Sequence, residues 1–553
     1  MEKKFTVELP SVFKNDLTKL AIDKKPDALI NLCAEDEDKI RNFLPASFTK
    51  DVVSFVPKEE PQESATCKKV VAVVFSGGPA PGGHNVVCGL YYAIKKLNPE
   101  SKVIGCIEGF TGLLEGKFIE ITQDHYEKFL NTGGFDMLGS ARVKITTDEQ
   151  IDKCVANLNK EGVTALLTIG GDDSNTNAAI LTERFVAKKV PIQVIGIPKT
   201  IDGDLKNKYT EQSFGFDTAT SIYSYQIGNI CRDAKSSMKY WHIIKLMGRD
   251  TGHICLECAH RTHPNIAIIG EEVKNKNRSM KTVVHRICDA IIARSKKGEN
   301  FGVMLFSEGI VENCAEMYQL LRDIDGIKQE NIEDYKKLQY DREREAFVIS
   351  RLASRNKESE LLYKDFPTNI KYQFLIDRDA HGHFQCARID SETLLIHLIK
   401  QELKARSPET LKKFNPIHHF FGYEGRCGWP SKFDNDYSYS LGITGALLIV
   451  HGFTGYLASV RKLVEDIDNW IPNGVPLCLL MNPASGKDPR IKAIKVDLKS
   501  APFTEYHKIR NSWKDHSNYL YPLAPHQFGP KEIIDRRTCT LQLEHPGSNP
   551  LTQ

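Results

Sequence analysis

The sequence predicts an α/β protein with two doubly wound, Rossmann-like domains on mainly parallel sheets, plus a helical insertion and extensions at both ends. Short runs of apolar, β-branched residues recur along the chain, and their continuous hydrophobicity is typical of strands buried on both faces. Segments with apolar residues at helical spacing lie between these runs. Strand and helix therefore alternate in the order that parallel connections require.

The first predicted strand is residues 70–75, a run of six apolar residues. A turn rich in glycine and proline follows over residues 76–83, and a helix begins after it, because Val86, Leu90 and Ile94 recur at helical spacing. The remaining predicted strands are residues 102–107, 164–169, 193–197, 242–247, 266–269 and 302–306, and a helix over 282–294 separates the last two.

The chain is predicted to divide into four segments. Residues 1–68 form a polar N-terminal extension, and residues 69–216 form the larger α/β domain. Residues 217–425 form a smaller α/β domain with a helical insertion at about 313–400, where charged residues dominate and apolar ones recur at helical intervals. Residues 426–553 return to the larger domain and end in a tail.

Composition limits the classes of function. A net charge of +3 over 553 residues gives no bulk electrostatic sign of a nucleic-acid or membrane surface. No apolar run approaches the roughly 20 residues that cross a bilayer, and the first residues lack the apolar centre of a signal peptide. The 14 cysteines are scattered without the paired spacing of a zinc site, so we expect reduced thiols in a cytoplasmic protein.

Acidic residues follow two neighbouring predicted strands. Gly170-Gly171-Asp172-Asp173-Ser174 comes after the strand at 164–169, and Pro198-Lys199-Thr200-Ile201-Asp202-Gly203-Asp204 comes after the strand at 193–197. Ligands bind at the carboxyl ends of strands in open α/β sheets. Carboxylates for a metal, a carboxylate for a proton and a cation for phosphate are the groups that phosphoryl transfer needs. This stretch is the candidate active site.

Each half of the stretch has a structural alternative. An aspartate after two glycines can hold Mg²⁺ together with substrate phosphate, but Asp and Ser also cap helices. Capping accounts for one acidic residue and not for two adjacent ones. In the second half, Asp202 can take the proton of an attacking hydroxyl, and the alternative is a simple Asp-Gly turn.

Other candidate residues are weaker when taken alone. The turn at 76–83 lets backbone N–H groups approach phosphate at a helix N-terminus, but a tight structural turn explains the glycines equally well. Arg249 ends the strand at 242–247 and offers a planar fork for phosphate, with a surface arginine as the alternative. Glu308 suits a sugar hydroxyl, and Arg426 in Tyr423-Glu424-Gly425-Arg426 is a second possible phosphate-binding arginine.

Together these motifs resemble the phosphofructokinase family over about residues 70–460. The ordered series is Gly-Gly-x-Ala-Pro-Gly, Gly-Gly-Asp-x-Ser, Pro-x-Thr-Ile-Asp-x-Asp, Met-Gly-Arg and Glu-Gly-Arg. ATP-using members typically have glycine where Asp173 and Lys199 stand. The Asp and Lys are similar to those of the pyrophosphate-dependent branch, in its long form, and the intact motifs are similar to those of its catalytic (beta-type) chain.

The resemblance implies the phosphofructokinase fold and a role for each matching residue. The larger domain would hold the pyrophosphate and Mg²⁺ site, with Gly77 at pyrophosphate and Asp172 at the metal. Asp202 would be the proton acceptor, Asp173 and Lys199 would set the donor and stabilise the transition state, and Arg249 would act in catalysis. The smaller domain would hold the sugar phosphate. The implied substrate-binding residues are Thr200, Ile201, Asp202, Lys239, Tyr240, Met247, Gly248, Arg249, Glu308, Tyr423, Glu424, Gly425 and Arg426.

The implied reaction is reversible, pyrophosphate-dependent phosphorylation of fructose 6-phosphate to fructose 1,6-bisphosphate, with Mg²⁺ as cofactor. The alternatives are an ATP-dependent enzyme of the same fold, which Asp173 opposes, and a non-catalytic regulatory subunit, which the intact Asp172, Asp202 and Arg249 oppose. By the same resemblance Lys239 and Tyr240 would reach the substrate of another subunit, which implies a homo-oligomer, at least a dimer. The sequence leaves effectors open, fructose 2,6-bisphosphate among them.

Overall fold

The computed structural model describes residues 7–27, 32–141, 143–249, 251–378, 384–483, 488–515 and 517–546. The strands are β1 (Leu20–Pro26), β2 (Asp51–Pro57), β3 (Val70–Phe75), β4 (Lys102–Cys106), β5 (Phe118–Glu120), β6 (Ala165–Gly170), β7 (Gln193–Pro198), β8 (Trp241–Leu246), β9 (Ile266–Ile268), β10 (Gly302–Ser307), β11 (Pro416–Phe421), β12 (Tyr456–Arg461), β13 (Ile471–Pro476), β14 (Met481–Asn482) and β15 (Arg490–Ile491). Every strand predicted from the sequence is present, with its ends shifted by at most one residue.

The helices lie mainly between these strands. They are α1 (Ala34–Phe43), α2 (Gly83–Leu97), α3 (Phe110–Glu115), α4 (Gln123–Phe129), α5 (Asp148–Lys160), α6 (Asp172–Ala187), α7 (Phe216–Ser237), α8 (His253–Thr262), α9 (Gly270–Asn275), α10 (Met280–Lys296), α11 (Ile310–Asn313), α12 (Ala315–Glu330), α13 (Ile332–Lys337), α14 (Asp341–Arg355), α15 (Lys357–Asp365), α16 (Thr368–Gln373), α17 (Ser391–Arg406), α18 (Pro408–Lys413), α19 (Lys432–Val450), α20 (Ala501–Asp515), α21 (Lys531–Ile534) and α22 (Cys539–Glu544). No helix within the described ranges is both long and apolar enough to span a membrane.

The chain forms two compact units. The first comprises Met1–Ile222, Tyr423–Ile494 and Pro525–Gln553, and the second comprises Tyr223–Gly422 and Lys495–Ala524. The extension predicted over residues 1–68 contributes β1 and β2 to the first unit, and residues 495–524 of the predicted return segment lie in the second. The four segments drawn from the sequence remain predictions beside this division.

The first unit is built on a nine-stranded sheet in the described residues, in the order β1-β2-β13-β12-β7-β6-β3-β4-β5. The central strands β12, β7, β6, β3 and β4 run parallel, while β5 and the β13-β2-β1 side are antiparallel. Every residue of β6 is buried, as the continuous apolar run predicts. The doubly wound, mainly parallel fold is thus confirmed, with antiparallel strands added at both edges.

Helix α19 is buried along its whole length in the first unit and packs against α2. The two helices approach so closely that only glycine fits at two crossing points. A Cβ atom on Gly89 would collide with the carbonyl oxygen of Tyr439, and one on Gly442 would collide with the carbonyl oxygen of Val86. This contact fixes the helix that follows the Arg426 motif against the helix that follows the glycine turn.

The second unit contains a four-stranded sheet in the part of the chain that the structure describes, in the order β11-β8-β10-β9, with all neighbours parallel. Its core continues into the helices from α12 to α17, which carry buried residues such as Leu320, Leu352 and Leu395. The predicted insertion is therefore helical, and its apolar residues join the core of this unit.

Lys245, at the centre of the second sheet, forms a buried ion pair with Glu392. The Lys245 Nζ lies 2.9 Å from Glu392 Oε2, and the two side chains are 1% and 6% exposed. The same amine donates to the carbonyl oxygen of Ile389 at 2.8 Å and lies 4.4 Å from the ring centroid of Phe420.

Replacing Glu392 with glutamine is expected to lower the melting temperature of the protein by on the order of 10 °C. The substitution leaves the Lys245 charge buried without its counter-charge, which costs about 3–5 kcal/mol, and about 1 kcal/mol shifts the melting temperature of a domain of this size by ~2–4 °C. Calorimetry on Glu392→Gln measures the shift. Glu409→Gln is the matched control, because Glu409 pairs with Lys412 at the surface and such pairs contribute little. Equal melting temperatures for the two variants would contradict the prediction.

Candidate active site

The candidate site lies at the carboxyl edge of the parallel strands in the first unit. Strands β3, β6 and β7 end at neighbouring positions, with Gly170 paired to Pro198 and Phe75 paired to Ile169. The backbone N–H of Lys199 donates to the carbonyl oxygen of Gly170 at 3.0 Å, which ties the two acidic segments together. The two acidic segments therefore lie side by side at the same edge of the sheet.

The glycine turn lies against two cationic side chains. Gly77 has a φ of +81°, and a Cβ atom at this residue would lie 3.3 Å from the Nζ of Lys199. A Cβ atom on Gly78 would lie 3.3 Å from the guanidinium carbon of Arg426. The absence of side chains at Gly77 and Gly78 therefore leaves room beside a lysine and an arginine, an arrangement suited to an anion.

Lys199 is buried, with 6% of its surface exposed. Removal from water lowers the pKa of its amine to about 8, and the nearby Arg426 acts in the same direction. The carboxylates of Asp202, Asp204 and Asp172 act in the opposite direction. The cation thus lies among three carboxylates and one arginine, and an additional anion there would stabilise its charged form.

Three carboxylates share this edge. Burial raises the pKa of Asp204 well above its ordinary value, and the charges of Asp202 and Asp172 raise it further. The Thr200 hydroxyl accepts from the backbone N–H of Asp202 at 3.0 Å. Gly203, which follows Asp202, has a φ of +70°, so a turn places the acidic side chains here. Mutual repulsion among carboxylates is what a divalent cation relieves.

Asp172 is the first residue of α6, whose N-cap is Gly171 with no side-chain cap. Asp172 and Asp173 are therefore the first two residues of the helix and not its N-cap, and both charges favour the positive end of the helix. Asp173 lies beside Lys144, with 3.0 Å between the carboxylate Oδ1 and the amine Nζ. Both side chains are partly exposed, at 19% and 36%.

The sequence-based reasoning missed Lys144. It lies in the irregular segment after Ala141, which forms a β-bridge with Ser76, and no motif or periodicity marks it. The bridge brings this segment to the end of β3, next to the glycine turn. Only pairing between distant parts of the chain reveals that a lysine meets Asp173.

The Tyr423 to Arg426 motif joins the same edge. Tyr423–Gly425 is a 3₁₀ turn, and the backbone N–H of Arg426 donates to the carbonyl oxygen of Tyr423 at 3.1 Å. The guanidinium carbon lies 4.9 Å from the Tyr423 ring centroid. Stacking on the tyrosine holds the guanidinium beside Gly78, while Tyr423 and Glu424 are exposed and Gly425 is buried.

The other predicted site residues lie in the second unit. Met247, Gly248 and Arg249 follow β8, and Gly248 has a φ of +119°. Glu308 follows β10, and its backbone N–H donates to the carbonyl oxygen of Leu246 at 2.9 Å. A Cβ atom on Gly309 would collide with the carbonyl oxygen of Arg249. Arg249 and Glu308 thus lie on adjacent segments at the carboxyl edge of the second sheet.

Lys239 and Tyr240 lie at the opposite end of β8. The Lys239 amine lies 5.0 Å from the Tyr240 ring centroid, and the six residues of β8 separate this pair from Met247 by about 20 Å. The structure therefore does not bring Lys239 and Tyr240 together with Arg249 within one sheet edge.

The carboxylates at this edge suit Mg²⁺, which needs few ligands from the protein. In the described ranges no group of three or more His, Cys, Asp or Glu residues has the arrangement of a metal site. Mg²⁺, however, commonly takes one or two carboxylates and completes its shell with water and substrate phosphate. Asp172, close enough to raise the pKa of Asp204, is a carboxylate of this kind.

The sequence that carries these residues matches a known protein family. The family model described as phosphofructokinase matches residues 70–449 of the chain. The chain belongs to the phosphofructokinase family, and the resemblance drawn from its motifs is confirmed.

Two curated relatives are similar over nearly the full length. The chain is 40% identical to "Pyrophosphate--fructose 6-phosphate 1-phosphotransferase" of Treponema pallidum (strain Nichols), over 98% of this chain and 96% of the relative. It is also 40% identical to "Pyrophosphate--fructose 6-phosphate 1-phosphotransferase subunit beta 2" of Arabidopsis thaliana, over 98% of this chain and 92% of the relative.

A solved structure supports the fold. The pyrophosphate-dependent phosphofructokinase of Nitrosospira multiformis has a TM-score of 0.53 at 14% identity, covering 84% of this chain and 97% of that one. At this identity the likeness concerns the fold alone.

Proposed function

We propose that the chain catalyses Mg²⁺- and pyrophosphate-dependent phosphorylation of fructose 6-phosphate, giving fructose 1,6-bisphosphate and phosphate in a reversible reaction. The observation that carries the proposal is the pair of charged residues at the strand ends, Lys199 beside Gly77 and Asp173 at the start of α6. The chain that carries them is about 40% identical, over nearly its full length, to proteins named pyrophosphate--fructose 6-phosphate 1-phosphotransferase.

Pyrophosphate is proposed to bind at the glycine turn. Gly77 leaves space next to the Lys199 amine, and Gly78 leaves space next to the Arg426 guanidinium. With pyrophosphate bound there, both cations would stabilise charge on the transferring phosphoryl group and the leaving phosphate. Mg²⁺, proposed to be held by Asp172, would neutralise charge on the phosphates when it is bound.

Asp202 is the proposed proton acceptor for the 1-hydroxyl of fructose 6-phosphate. Its backbone is held by the Thr200 hydroxyl, and its charge is close enough to Lys199 and Asp204 to change the pKa of both. An ionised carboxylate at a strand end can accept a proton as the hydroxyl attacks. Thr200, Ile201 and the Tyr423 to Arg426 motif are proposed to contact the acceptor substrate from this unit.

The second unit is proposed to bind the sugar phosphate. Arg249 supplies a planar guanidinium fork for a phosphate group, and Glu308 supplies a carboxylate for sugar hydroxyls. Met247 and Gly248 shape the loop that carries Arg249. Lys239 and Tyr240 lie about a strand's length from that loop, which supports a role toward another subunit, and hence a homo-oligomer.

Donor choice is proposed to depend on Asp173. By the family resemblance, its carboxylate would lie where ATP carries its α-phosphate, so ATP would meet both volume and like charge. Two unit charges about 4 Å apart at an effective dielectric near 20 repel by roughly 4 kcal/mol, which corresponds to about a thousandfold in affinity. Lys144, whose amine lies 3.0 Å from the Asp173 carboxylate, offsets part of this repulsion for either donor, so a thousandfold is an upper limit.

Two alternatives remain distinguishable. An ATP-dependent enzyme of the same fold does not account for the charge of Asp173. A non-catalytic regulatory chain does not account for the retained Asp172, Asp202 and Arg249. The proposal also includes a cytoplasmic location, which the free cysteine thiols of the chain support.

The test is an assay of fructose 6-phosphate phosphorylation with pyrophosphate or ATP as the sole donor. Turnover with pyrophosphate alone is expected. Turnover with ATP alone would support the ATP-dependent alternative, and no turnover with either donor would support the regulatory one.

The dependence of activity on pH is expected to follow Lys199. Because the pKa of its amine is lowered to about 8, the side chain is a cation below that pH and becomes neutral above it. The kcat/KM for pyrophosphate, which reports the free enzyme, is therefore expected to fall as pH rises through about 8. Lys199→Arg keeps the charge at high pH and should move this decline upward by more than one pH unit. An unchanged decline in the variant would assign it to another group.

A further inference from the structure

The second unit contains a cavity away from the residues proposed for substrate binding. It lies between β9, α9, α10 and α20, and its volume is about 70 Å³. One water needs ~15 Å³ of such a cavity, so there is room for about five water molecules or for one small anion. Its inner wall is apolar, with Ile266, Ile287 and Trp513 among the lining side chains.

Cationic side chains surround this cavity. Arg278, Arg286, Arg510 and Lys514 all line it, and Glu272 is the only carboxylate among its described lining residues. Glu272 accepts from both terminal nitrogens of Arg510, at 2.5 and 2.9 Å, and from Lys276 at 2.6 Å. Burial acts to raise the pKa of Glu272, but the hydrogen bonds from Arg510 and Lys276 outweigh it and lower the value to about 2.

One carboxylate does not balance this charge. Arg278 Nη1 lies 3.7 Å from Glu272, and burial lowers the pKa of Arg278 with help from the charges of Arg286 and Arg510. Arg286 lines the same cavity from α10, and its side chain is exposed. Three guanidinium groups therefore repel one another around a cavity that holds a single counter-charge.

We propose that this cavity binds a phosphate group, either inorganic phosphate or the phosphate of a monoester. A tetrahedral dianion has five heavy atoms, and its oxygens match the planar forks of Arg278 and Arg286. Its two charges offset the excess that Glu272 leaves. None of the residues involved is among those proposed for the reaction, so this is a second phosphate site.

Helix α9 connects this site to the loop after Arg249. Glu272 of α9 pairs with Arg510, while the preceding residue, Glu271, accepts from the backbone N–H of Gly252 at 2.9 Å and of Val496 at 2.9 Å. A phosphate that competes with Glu272 for Arg510 would disturb helix α9. The neighbouring carboxylate on that helix, Glu271, is the one that holds Gly252. Occupation of the cavity therefore acts on the loop that carries Arg249.

The site is tested by equilibrium dialysis of the full-length protein with radiolabelled inorganic phosphate. The Arg278→Gln/Arg286→Gln variant is expected to bind one phosphate per chain fewer than the unsubstituted protein, or to bind that phosphate at least about tenfold more weakly. Lys281→Gln is the matched control, because Lys281 is exposed on the same helix α10 and does not line the cavity. Equal binding by all three proteins would overturn the proposal.

Two additions separate the related possibilities. The single variant Arg286→Gln changes an exposed side chain and should also weaken the second phosphate, which excludes misfolding as the cause. Displacement of the label by glycerol 3-phosphate identifies the monoester as ligand, and retention of the label identifies free phosphate. If the proposed function is wrong and the reaction site binds no phosphate, the unsubstituted protein still binds one equivalent that the double variant loses.

The effect of the cavity on the Arg249 loop through α9 is measured separately, and this part of the inference rests on the proposed function. Phosphate should change the KM for fructose 6-phosphate in the unsubstituted protein and in Lys281→Gln more than in the double variant. An identical effect of phosphate in all three would overturn the connection, while the dialysis result still decides the site.

Discussion

Asp202→Ser is expected to lower kcat by about 10²–10⁴-fold, the usual contribution of a positioned general base. Serine cannot accept the proton of the 1-hydroxyl, whereas Asp202 offers a carboxylate on a backbone whose N–H donates to the Thr200 hydroxyl at 3.0 Å. Steady-state kinetics with pyrophosphate measure the loss. Calorimetric titration with fructose 6-phosphate should show binding within a few-fold of the unsubstituted protein.

The pH dependence of the residual activity distinguishes a base from a merely structural residue. If Asp202 is the proton acceptor, the variant loses the acidic limb of the kcat profile, because that limb reports protonation of the base. Asp204→Ser is the comparison, since Asp204 shares the cluster but has a pKa raised by burial and by Asp202. Near-normal turnover in Asp202→Ser would exclude Asp202 as the base.

Asp173→Gly is expected to weaken the use of pyrophosphate and to open a route to ATP. The gain in kcat/KM for ATP has an upper limit of about a thousandfold, from a repulsion of roughly 4 kcal/mol. Kinetics with each donor alone measure both changes. If the kinetics with ATP stay the same, exclusion by Asp173 is not the reason for the choice of donor.

Asp173→Asn divides this effect into charge and volume. Asparagine keeps the size of the side chain, removes the charge and breaks the ion pair with Lys144. If charge dominates, Asn and Gly give similar gains with ATP, and if volume dominates, only Gly does. Lys144→Met should leave Asp173 without its neighbouring cation and weaken pyrophosphate binding in the unsubstituted Asp173 background.

Parallel strands such as β3 and β6 could be predicted because nearly all of their residues are buried and their sequences are almost continuously apolar. Strands β1 and β2 could not. Their sequences, Leu20–Pro26 and Asp51–Pro57, are only partly buried at the edge of the sheet and carry charged residues, so they look like part of a polar extension. The pairing of β2 with β13 depends on residues more than 400 positions away, and β1 in turn pairs with β2.

The site shows the same difference between local and distant information. Asp172, Lys199 and Asp202 follow strands directly, so the sequence predicts that they share an edge. The contacts of Lys144 with Asp173 and of Arg426 with the space at Gly78 join segments far apart in the chain. No local sequence pattern predicts these contacts, because the residues come together only when the sheet has formed.

Transfer of label from pyrophosphate tests the central claim most directly. The protein is incubated with fructose 6-phosphate, Mg²⁺ and ³²P-pyrophosphate, with unlabelled ATP in excess. One labelled phosphoryl group should appear in the 1-phosphate ester for each labelled phosphate released, and ATP should not reduce this yield. Unlabelled bisphosphate formed at the expense of ATP, or no label in the ester, would contradict the proposed function.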